Sequence, residues 1–274
     1  MRLIAAAASD AGRFRSENQD AAFTASWGAG VADGVGGGPA GDLASAAFLR
    51  RLAAAHVDVR DEDDLAERLR GANWDLRAHV WRDPSLEGMA TTFTGIVVAR
   101  GGHVLIGHSG DSRAYRLRAG VATRETRDDS LVQSLVDHGL LAPEAAASHP
   151  RRNIVTASMT GAEDDHVTVG RADAAVGDRW LFCSDGLTDY VPEERIFATL
   201  ARPLKPARVA AELVAIALAA PTRDNVTVVV CDIADGDADA GERPVFYGAA
   251  AGLFAEELEE LDDDVDDDAG DTRG

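Results

Sequence analysis

The sequence predicts an α+β fold in which antiparallel strands form the sheets and helices cover them. Apolar stretches rich in β-branched residues follow one another and are joined by short Gly-containing turns, as in β-hairpins. Amphipathic stretches also follow one another in pairs, whereas a parallel sheet would need them to alternate singly with strands. The chain has 274 residues, enough for one large core, so we expect one domain followed by a tail.

The predicted strands begin at the N-terminus, where residues 1–10 contain a short apolar run that is typical of a first or edge strand. This run is too short for a secretory signal. Residues 91–100 and 104–107 flank Gly101 and Gly102, which is a hairpin signal. Further strands are predicted at residues 112–117, 179–184 and 226–233.

Four segments have the composition or period of helices. Residues 42–56 are rich in Ala and Leu. In residues 63–81 the apolar side chains recur every three or four positions, which gives the helix one apolar face. Residues 129–140 end at a Gly-containing turn. Residues 206–220 have a proline at their start and another just after their end, and proline is favoured at both places.

The C-terminal segment differs in composition from the rest of the chain. Residues 235–274 hold 15 acidic residues and two arginines, a net charge of −13, whereas the preceding residues carry −7 of the total of −20. We expect residues 235–274 to form a largely disordered acidic tail, because like charges repel one another. Within it, residues 249–261 have the pattern of a helix with one apolar side. Such a tail can solvate the protein or dock onto a basic partner.

Composition argues against several classes of protein. No run approaches the ~18 uninterrupted apolar residues of a membrane-spanning helix. The charge lacks the basic footprint of a nucleic-acid-binding protein. Cys183 and Cys231 lie in apolar runs and make no disulfide framework, so we expect buried thiols. Seven histidines without paired spacing argue against a zinc site. We expect a cytoplasmic monomer.

Five aspartates stand in turn-like contexts beside apolar runs: Asp20, Asp33, Asp111, Asp185 and Asp224. A single Asp beside Gly or Asn is common in ordinary turns. Here strand-like runs precede Asp33, Asp111 and Asp185, and a carboxylate at the end of a buried strand is costly unless it is paired or metal-bound. Carboxylate oxygens are preferred ligands of Mg²⁺ and Mn²⁺. The pattern therefore predicts a metal centre assembled from distant segments.

Six short motifs follow one another along the chain. They are Arg15-Ser16-Glu17-Asn18-Gln19-Asp20, Asp33-Gly34-Val35-Gly36-Gly37, Gly110-Asp111-Ser112-Arg113, His149-Pro150-Arg151-Arg152-Asn153, Ser184-Asp185-Gly186 and Asp224-Asn225. In this order they resemble the motifs of the metal-dependent serine/threonine protein phosphatases of the protein phosphatase 2C-like (PPM) family, over roughly residues 3–233. The resemblance implies a four-layer α-β-β-α sandwich of two antiparallel sheets flanked by helices, with a catalytic domain over residues 1–234. The composition favours a bacterial source.

The resemblance also implies roles for single residues. Asp33 matches the carboxylate that bridges two Mn²⁺ or Mg²⁺ ions, and Gly34 matches a residue that gives its backbone carbonyl to one of them. Asp185 and Asp224 match ligands of the second ion. Arg15 matches the guanidinium that holds the substrate phosphate.

Further positions match the surroundings of this centre. Asp111 and Asp189 match positions tied to a third, weaker ion in bacterial members of the family, and Asp20 matches an acidic position that acts near the metals through water. His149 matches the start of a flap, so we expect a mobile loop there. Val35 stands where some relatives carry a histidine proposed as general acid. A metal-bound water and His149 therefore remain as candidates for that acid.

The implied chemistry suits these residue types. Two hard cations can share a bridging hydroxide, lower its pKa toward neutrality and let it attack phosphorus directly. Arg15 and the metals would offset the charge on the phosphoryl oxygens, and a planar guanidinium bonds phosphate through two N–H groups. No cysteine or serine nucleophile is needed.

We therefore expect a phosphatase that hydrolyses phosphoserine and phosphothreonine in phosphorylated proteins and opposes a serine/threonine kinase. The alternative is a non-catalytic phosphoprotein-binding module that kept this fold and lost its metals. Intact Asp33, Asp185 and Asp224 argue against that alternative. A phosphatase dedicated to one regulatory partner is a third hypothesis, which the sequence does not separate from the first.

Overall fold

The computed structural model describes residues 1–35, 40–54 and 59–252, which form eleven strands and eight helices. The strands are β1 (Arg2–Asp10), β2 (Asp20–Thr24), β3 (Gly28–Asp33), β4 (Phe93–Val98), β5 (Val104–Ser109), β6 (Arg113–Arg118), β7 (Val121–Arg124), β8 (Thr168–Arg171), β9 (Arg179–Cys183), β10 (Val226–Ala234) and β11 (Val245–Gly248). The helices are α1 (Gly41–Ala54), α2 (Glu62–Arg82), α3 (Leu131–Asp137), α4 (Pro143–Ala146), α5 (Asp185–Thr188), α6 (Glu193–Leu200), α7 (Pro206–Ala219) and α8 (Ala249–Gly252).

The strands form two antiparallel sheets that pack face to face. The first sheet has the order β1-β10-β9-β6-β7 and the second the order β11-β2-β3-β4-β5-β8. Helices α1 and α2 pack on the second sheet, and α7 packs on β1 and β10 of the first. The predicted four-layer α-β-β-α sandwich is therefore confirmed. None of the helices named above is long and apolar enough to cross a membrane.

The position of β10 in the fold explains why its sequence is apolar at successive positions and does not alternate with polar residues. Val228 and Val230 pack in the layer that includes α7, whereas Val229 and Cys231 pack between the two sheets. Successive side chains of a strand point to opposite faces, so a strand covered on both sides must be apolar throughout. Cys183 and Cys231 are free thiols and fully buried.

The helices begin where local chemistry favours a start. Asp61 caps α2, because its carboxylate accepts a hydrogen bond from the backbone N–H of Asp64 at 3.0 Å. Helix α7 begins at Pro206, as predicted, since proline needs no backbone donor in the first turn. Helix α3 is shorter than the predicted 129–140, because Ser130 caps its N-terminus and accepts from Gln133 at 3.3 Å. The predicted helix 42–56 is described as far as Ala54.

Part of the segment predicted as a tail is folded. Strand β11 pairs with β2 along four residues, and α8 packs against α1. The Trp27 indole N–H donates to the carbonyl of Glu242 at 3.0 Å. The Arg50 guanidinium donates to the carbonyl of Ala250 at 2.7 Å and lies 4.7 Å from the Phe246 ring centre. The boundary predicted after residue 234 thus cuts off a strand of the second sheet, and residues 253–274 lie outside the described part.

Candidate metal centre

Strand ends from both sheets meet around one cleft of about 250 Å³. Asp33 is the last residue of β3, Asp111 follows β5, Asp185 follows β9 and Asp224 precedes β10. All four line the cleft, together with Arg15. The predicted assembly of distant aspartates is therefore present in the fold, because antiparallel strands of two stacked sheets end at the same side of the sandwich.

Backbone contacts fix Asp33 and Gly34 at the wall of the cleft. The N–H of Asp33 donates to the Thr92 hydroxyl at 3.0 Å, and the N–H of Gly34 donates to the Gln19 carbonyl at 3.1 Å. A Cβ atom at Gly34 would collide with the backbone of Gly41, where α1 begins. A glycine is therefore required at position 34, and this close approach places its peptide group at the cleft.

Asp20 lies beneath the cleft and is almost fully buried. Its carboxylate accepts a hydrogen bond from the Ser184 hydroxyl at 2.7 Å, and Ser184 accepts one from the N–H of Thr227 at 3.0 Å. In the β2–β3 register Asp20 faces Asp33. Burial raises the pKa of Asp20 to about 6. Asp20 therefore connects the two sheets directly behind the residue predicted to bridge the metals.

The carboxylates of the cleft lie close to one another with too little positive charge nearby to balance them. Burial, and then the neighbouring Asp20 and Asp185 carboxylates, raise the pKa of Asp33 well above its usual range. Burial, and then Asp111, do the same to Asp185. The pKa of Asp111 rises to about 7, first through burial and then through Asp128 and Asp189. Buried carboxylates of this kind are stable as anions only beside a compensating cation.

This donor set fits a hard divalent cation. It offers carboxylate oxygens and a backbone carbonyl, which Mg²⁺ and Mn²⁺ prefer over nitrogen or sulfur ligands. Within the described ranges, no group of three or more Asp, Glu, His or Cys side chains stands close enough together to hold a metal ion as the side chains are placed. The carboxylates nevertheless raise one another's pKa across the cleft. An open cleft with waters completing the coordination suits Mg²⁺, which usually keeps several water ligands.

Arg15 stands at the mouth of the cleft. Its guanidinium donates to the Asp224 carboxylate at 2.8 Å, and its side chain is 42% exposed. The hydrogen bond from Arg15 to Asp224, strengthened by the charges of Asp224 and Asp33, raises the pKa of Arg15. Arg15 is therefore a permanent cation with N–H donors left over for an incoming anion.

Asn225 holds the loop that carries Arg15. Its side-chain N–H₂ donates to the carbonyls of Ala11 and Glu17, both at 2.9 Å, and its side-chain oxygen accepts from the N–H of Gln19 at 2.9 Å. The motif Asp224-Asn225 was recognised in the sequence, but this role of Asn225 was not. A short amide before a strand gives no sign of contacts with residues more than 200 positions away.

A second cleft of about 770 Å³ adjoins the first and shares Asp111 and Asp185 with it. Asp189 lines this second cleft and pairs with Arg152 at 3.2 Å. Arg152 belongs to the segment predicted as a flap, whose Asn153 lines the first cleft. The structure thus brings Asp111 and Asp189 to the neighbouring cleft and places the flap segment across both.

Two further residues lie close to the clefts: Asp128, which the sequence analysis did not identify, and His149, which it placed at the start of the flap. Asp128 is buried and accepts from Arg113 at 2.7 Å and from Arg124, which braces the loop after β5. His149 is half-buried on the flap segment, where its ring accepts a hydrogen bond from the N–H of Arg151 at 3.2 Å. Asp128 stands in no motif, and its pairing with Arg113 is visible only in the folded chain.

Comparisons with known proteins agree with this geometry. The chain is 41% identical over 250 residues to the serine/threonine protein phosphatase PstP of Mycobacterium tuberculosis, a match that covers 90% of this chain and 48% of the relative. The chain therefore spans about half the length of that relative. It is 32% identical over 213 residues to the serine/threonine phosphatase stp of Listeria innocua, covering 74% of this chain and 82% of the relative. No protein-family model matches the chain.

Solved structures give the same picture. The crystal structure of the M. tuberculosis serine/threonine phosphatase PstP/Ppp superposes with a TM-score of 0.79 at 40% identity, over 86% of this chain and 100% of that one. The catalytic domain of PstP in complex with two manganese ions superposes with a TM-score of 0.76 at 38% identity, over 85% of this chain and 99% of that one.

Proposed function

The chain belongs to the protein phosphatase 2C-like (PPM) family of bacterial serine/threonine phosphatases, and from this premise we propose that it hydrolyses phosphoserine and phosphothreonine in proteins. The observation that carries the proposal is the cleft in which Asp33, Asp111, Asp185 and Asp224 meet from four separate strand ends. Arg15 stands at its mouth. A cluster of carboxylates beside one partly exposed guanidinium suits metal-assisted chemistry on a phosphate ester.

On this proposal the cleft would bind two divalent cations, Mn²⁺ or Mg²⁺. Asp33 and the Gly34 carbonyl would hold one ion, and Asp33, Asp185 and Asp224 the other. Asp111 and Asp189 would hold a third, weaker ion. When bound, such ions supply positive charge for the phosphoryl oxygens and lower the pKa of water for attack on phosphorus.

Arg15 would bind and orient the phosphate. Its guanidinium already reaches across to Asp224 at 2.8 Å, so it is held in place before the substrate arrives. A guanidinium has five N–H donors and can keep this ion pair while it bonds two phosphate oxygens. Because Asn225 anchors the loop on three backbone groups, the position of Arg15 is pre-organised.

Asp20 would position the centre without touching the substrate. Its burial and its hydrogen bond from Ser184 set the distance between β2 and the start of α5. At the cleft wall Val35 provides an apolar surface and no proton donor. The leaving alcohol would then take its proton from water or from His149.

The non-catalytic alternative has less support. A binding module needs a phosphate-binding arginine, but it has no use for a cluster of carboxylates in which burial raises the pKa of four members, at a cost in free energy. We further propose that the substrates include proteins phosphorylated by a serine/threonine kinase that this enzyme opposes, and that it works as a monomer in the cytoplasm.

The proposal is tested by hydrolysis of a phosphothreonine peptide panel with and without Mn²⁺. We expect turnover that EDTA abolishes and that Mn²⁺ or Mg²⁺ restores, with Asp33→Asn as the inactive control. Cys183→Ser should stay active, because burial raises the pKa of that thiol to about 12 and no thiolate nucleophile is available. Full turnover in metal-free protein would contradict the metal-assisted mechanism.

A further inference from the structure

The loop beside Arg15 carries an unusual exposed aromatic residue. Phe14 is 66% exposed, whereas Phe23, Phe48 and Phe93 are buried in the core. Phe14 directly precedes the arginine at the mouth of the metal cleft. A large apolar side chain at the edge of a binding site is a common feature of recognition surfaces.

Arg223 completes this surface. Its guanidinium carbon lies 5.7 Å from the centre of the Phe14 ring, and the residue is exposed. Arg223 directly precedes Asp224, which lines the cleft. Among the described residues, neither Arg223 nor the exposed Arg13 forms an ion pair with a carboxylate. We call Phe14 and Arg223, with Arg13 beside them, the rim platform.

The rim platform is rigidly attached to the cleft that Arg15 and Asp224 line. Asn225 bonds the backbone of the loop that contains Phe14, as described above. A Cβ atom at Gly12 would stand 2.5 Å from the carbonyl oxygen of Asp224, so the two loops touch through their backbones. The platform therefore keeps a fixed position relative to Arg15, which a surface needs if it is to select substrates.

The second cleft, which shares Asp111 and Asp185 with the first, has the opposite charge to the rim platform. The adjoining second cleft is lined by Glu144, Glu193 and Glu194, while its arginines are paired with Asp128 and Asp189. The whole chain also carries a net charge of −20. An anionic side chain of a bound peptide is therefore attracted at the rim platform and repelled at the second cleft.

We propose that the rim platform selects phosphopeptides with an anionic side chain close to the phosphorylated residue, a preference that rests on the proposed phosphatase function. Arg223 would pair with the anion, which can be a carboxylate or a second phosphate, and Phe14 would cover the adjoining peptide. An extended peptide advances about 3.3 Å per residue. The platform starts one residue from Arg15 and Asp224, so it reaches peptide positions about one to three residues from the phosphothreonine.

The test compares short phosphothreonine peptides that carry two Asp residues on the N-terminal or the C-terminal side with matched Asn peptides. A third set carries a second phosphothreonine in place of Asp. We measure kcat/KM for each peptide, and also Kd for phosphonate analogues that cannot be hydrolysed. For the wild-type protein we expect the anionic peptide of one side to be preferred by about fivefold in both quantities, the size of an exposed ion pair.

Variants of the platform separate recognition from a structural effect. Arg223→Ala and Phe14→Ala should reduce the preference below about twofold, and Arg223→Glu should reverse it in favour of Lys peptides. Arg223→Lys should retain most of it. Arg70→Ala, an exposed arginine on α2, is the matched control and should keep the full preference.

The proposed role of the rim platform would be overturned if the wild-type protein bound anionic and neutral peptides with equal Kd, whether the charges lie on the N-terminal or the C-terminal side of the phosphothreonine. So would a preference that Arg223→Glu leaves unchanged. Absence of hydrolysis together with a clear difference in Kd would instead contradict the phosphatase function and leave the platform in place. A stronger preference for the doubly phosphorylated set identifies phosphate as the anion, and a stronger preference for the Asp set identifies carboxylate.

Discussion

Two groups of buried carboxylates in this molecule face opposite electrostatic surroundings. In the metal cleft, burial and neighbouring carboxylates raise the pKa of Asp33 and Asp185 well above the usual range. At the far end of the first sheet, Asp178 is also buried, with 2% of its side chain exposed. There burial would raise the pKa, but hydrogen bonds from Arg118 and from the backbone N–H of Ala175 outweigh it and lower the pKa of Asp178.

The two sites differ in the partners of their carboxylates. The Asp178 carboxylate accepts two hydrogen bonds from Arg118, both at 2.7 Å, and one from Ala175 at 2.8 Å. Arg118 and Arg116 also share the exposed Asp173. A carboxylate satisfied in this way contributes to folding stability, whereas an unsatisfied one costs stability until a cation arrives. Comparing both sites by mutation therefore separates residues kept for function from residues kept for the fold.

The largest expected effect is on turnover at the metal cleft. Asp33→Asn should lower kcat/KM for a phosphothreonine peptide at least about a thousandfold, because it removes the ligand proposed to bridge two ions. In EDTA, however, the variant should unfold at the same or a higher urea concentration than the wild type, since one uncompensated buried charge is gone. An Asp33→Asn protein that is clearly less stable in EDTA would show that this carboxylate has a folding partner as Asp178 does.

The opposite pattern, a loss of stability with nearly unchanged turnover, is expected for Asp178→Asn. Asp178→Asn should lower the free energy of unfolding by about 2–3 kcal/mol, because it breaks the buried ion pair and leaves Arg118 with only the exposed Asp173 as a carboxylate partner. The partial exposure of Arg118 softens the loss. Turnover of the folded variant should stay within about twofold of wild type. Urea unfolding and kcat/KM are measured on the same preparation. An unchanged urea midpoint would contradict the view that this pair stabilises the fold.

Mn²⁺ should stabilise the folded protein by binding at the cleft that contains Asp33, and this effect should not depend on Asp178. Mn²⁺ at about one hundred times its Kd should raise the free energy of unfolding by about 2.7 kcal/mol, since only the folded cleft binds it. The gain should be present in Asp178→Asn and absent in Asp33→Asn. Thermal unfolding with stepwise addition of Mn²⁺ measures both. A gain of equal size in Asp33→Asn would place the ion elsewhere in the molecule.

The sequence predicted the grouping of the cleft aspartates, whose roles as metal ligands stay a prediction, better than it predicted the arginine-paired carboxylates. The aspartates of the cleft follow apolar strands and stand in short motifs, so their order along the chain identifies them. Asp128 and Asp178 stand in no motif. Arg118 is 60 residues from Asp178, and of the two arginines paired with Asp128, Arg113 is 15 residues away and Arg124 is four. Such pairs depend on which strands become neighbours, a property that local hydrophobic period does not contain.

The C-terminal boundary was misplaced for a related reason. Val245, Phe246 and Tyr247 are good strand formers, but four residues inside an acidic, Gly-containing segment are too few to display a period. Their pairing with β2 is visible only in the folded chain. A truncation after Ala234, which the sequence would favour, therefore removes β11 and its contacts with β2. A truncation after Gly252 is the appropriate way to study the acidic residues that follow.

The smallest predicted effect is a difference in acid sensitivity. The pKa of Asp178 is lowered in the folded state, so its contribution to stability is fully present above the ordinary aspartate pKa of about 3.9. Below that pH the unfolded chain takes up a proton that the folded chain does not, and the contribution is lost as the pH falls through the folded pKa. The stability difference between wild type and Asp178→Asn should therefore be constant above about pH 5 and shrink below about pH 4, by at most ~1.4 kcal/mol per pH unit. Urea unfolding in EDTA between pH 5.5 and 3 measures this difference, and carboxylates common to both proteins cancel in the subtraction. A difference that stays constant down to pH 3 would mean that Arg118 does not stabilise the ionised form of Asp178.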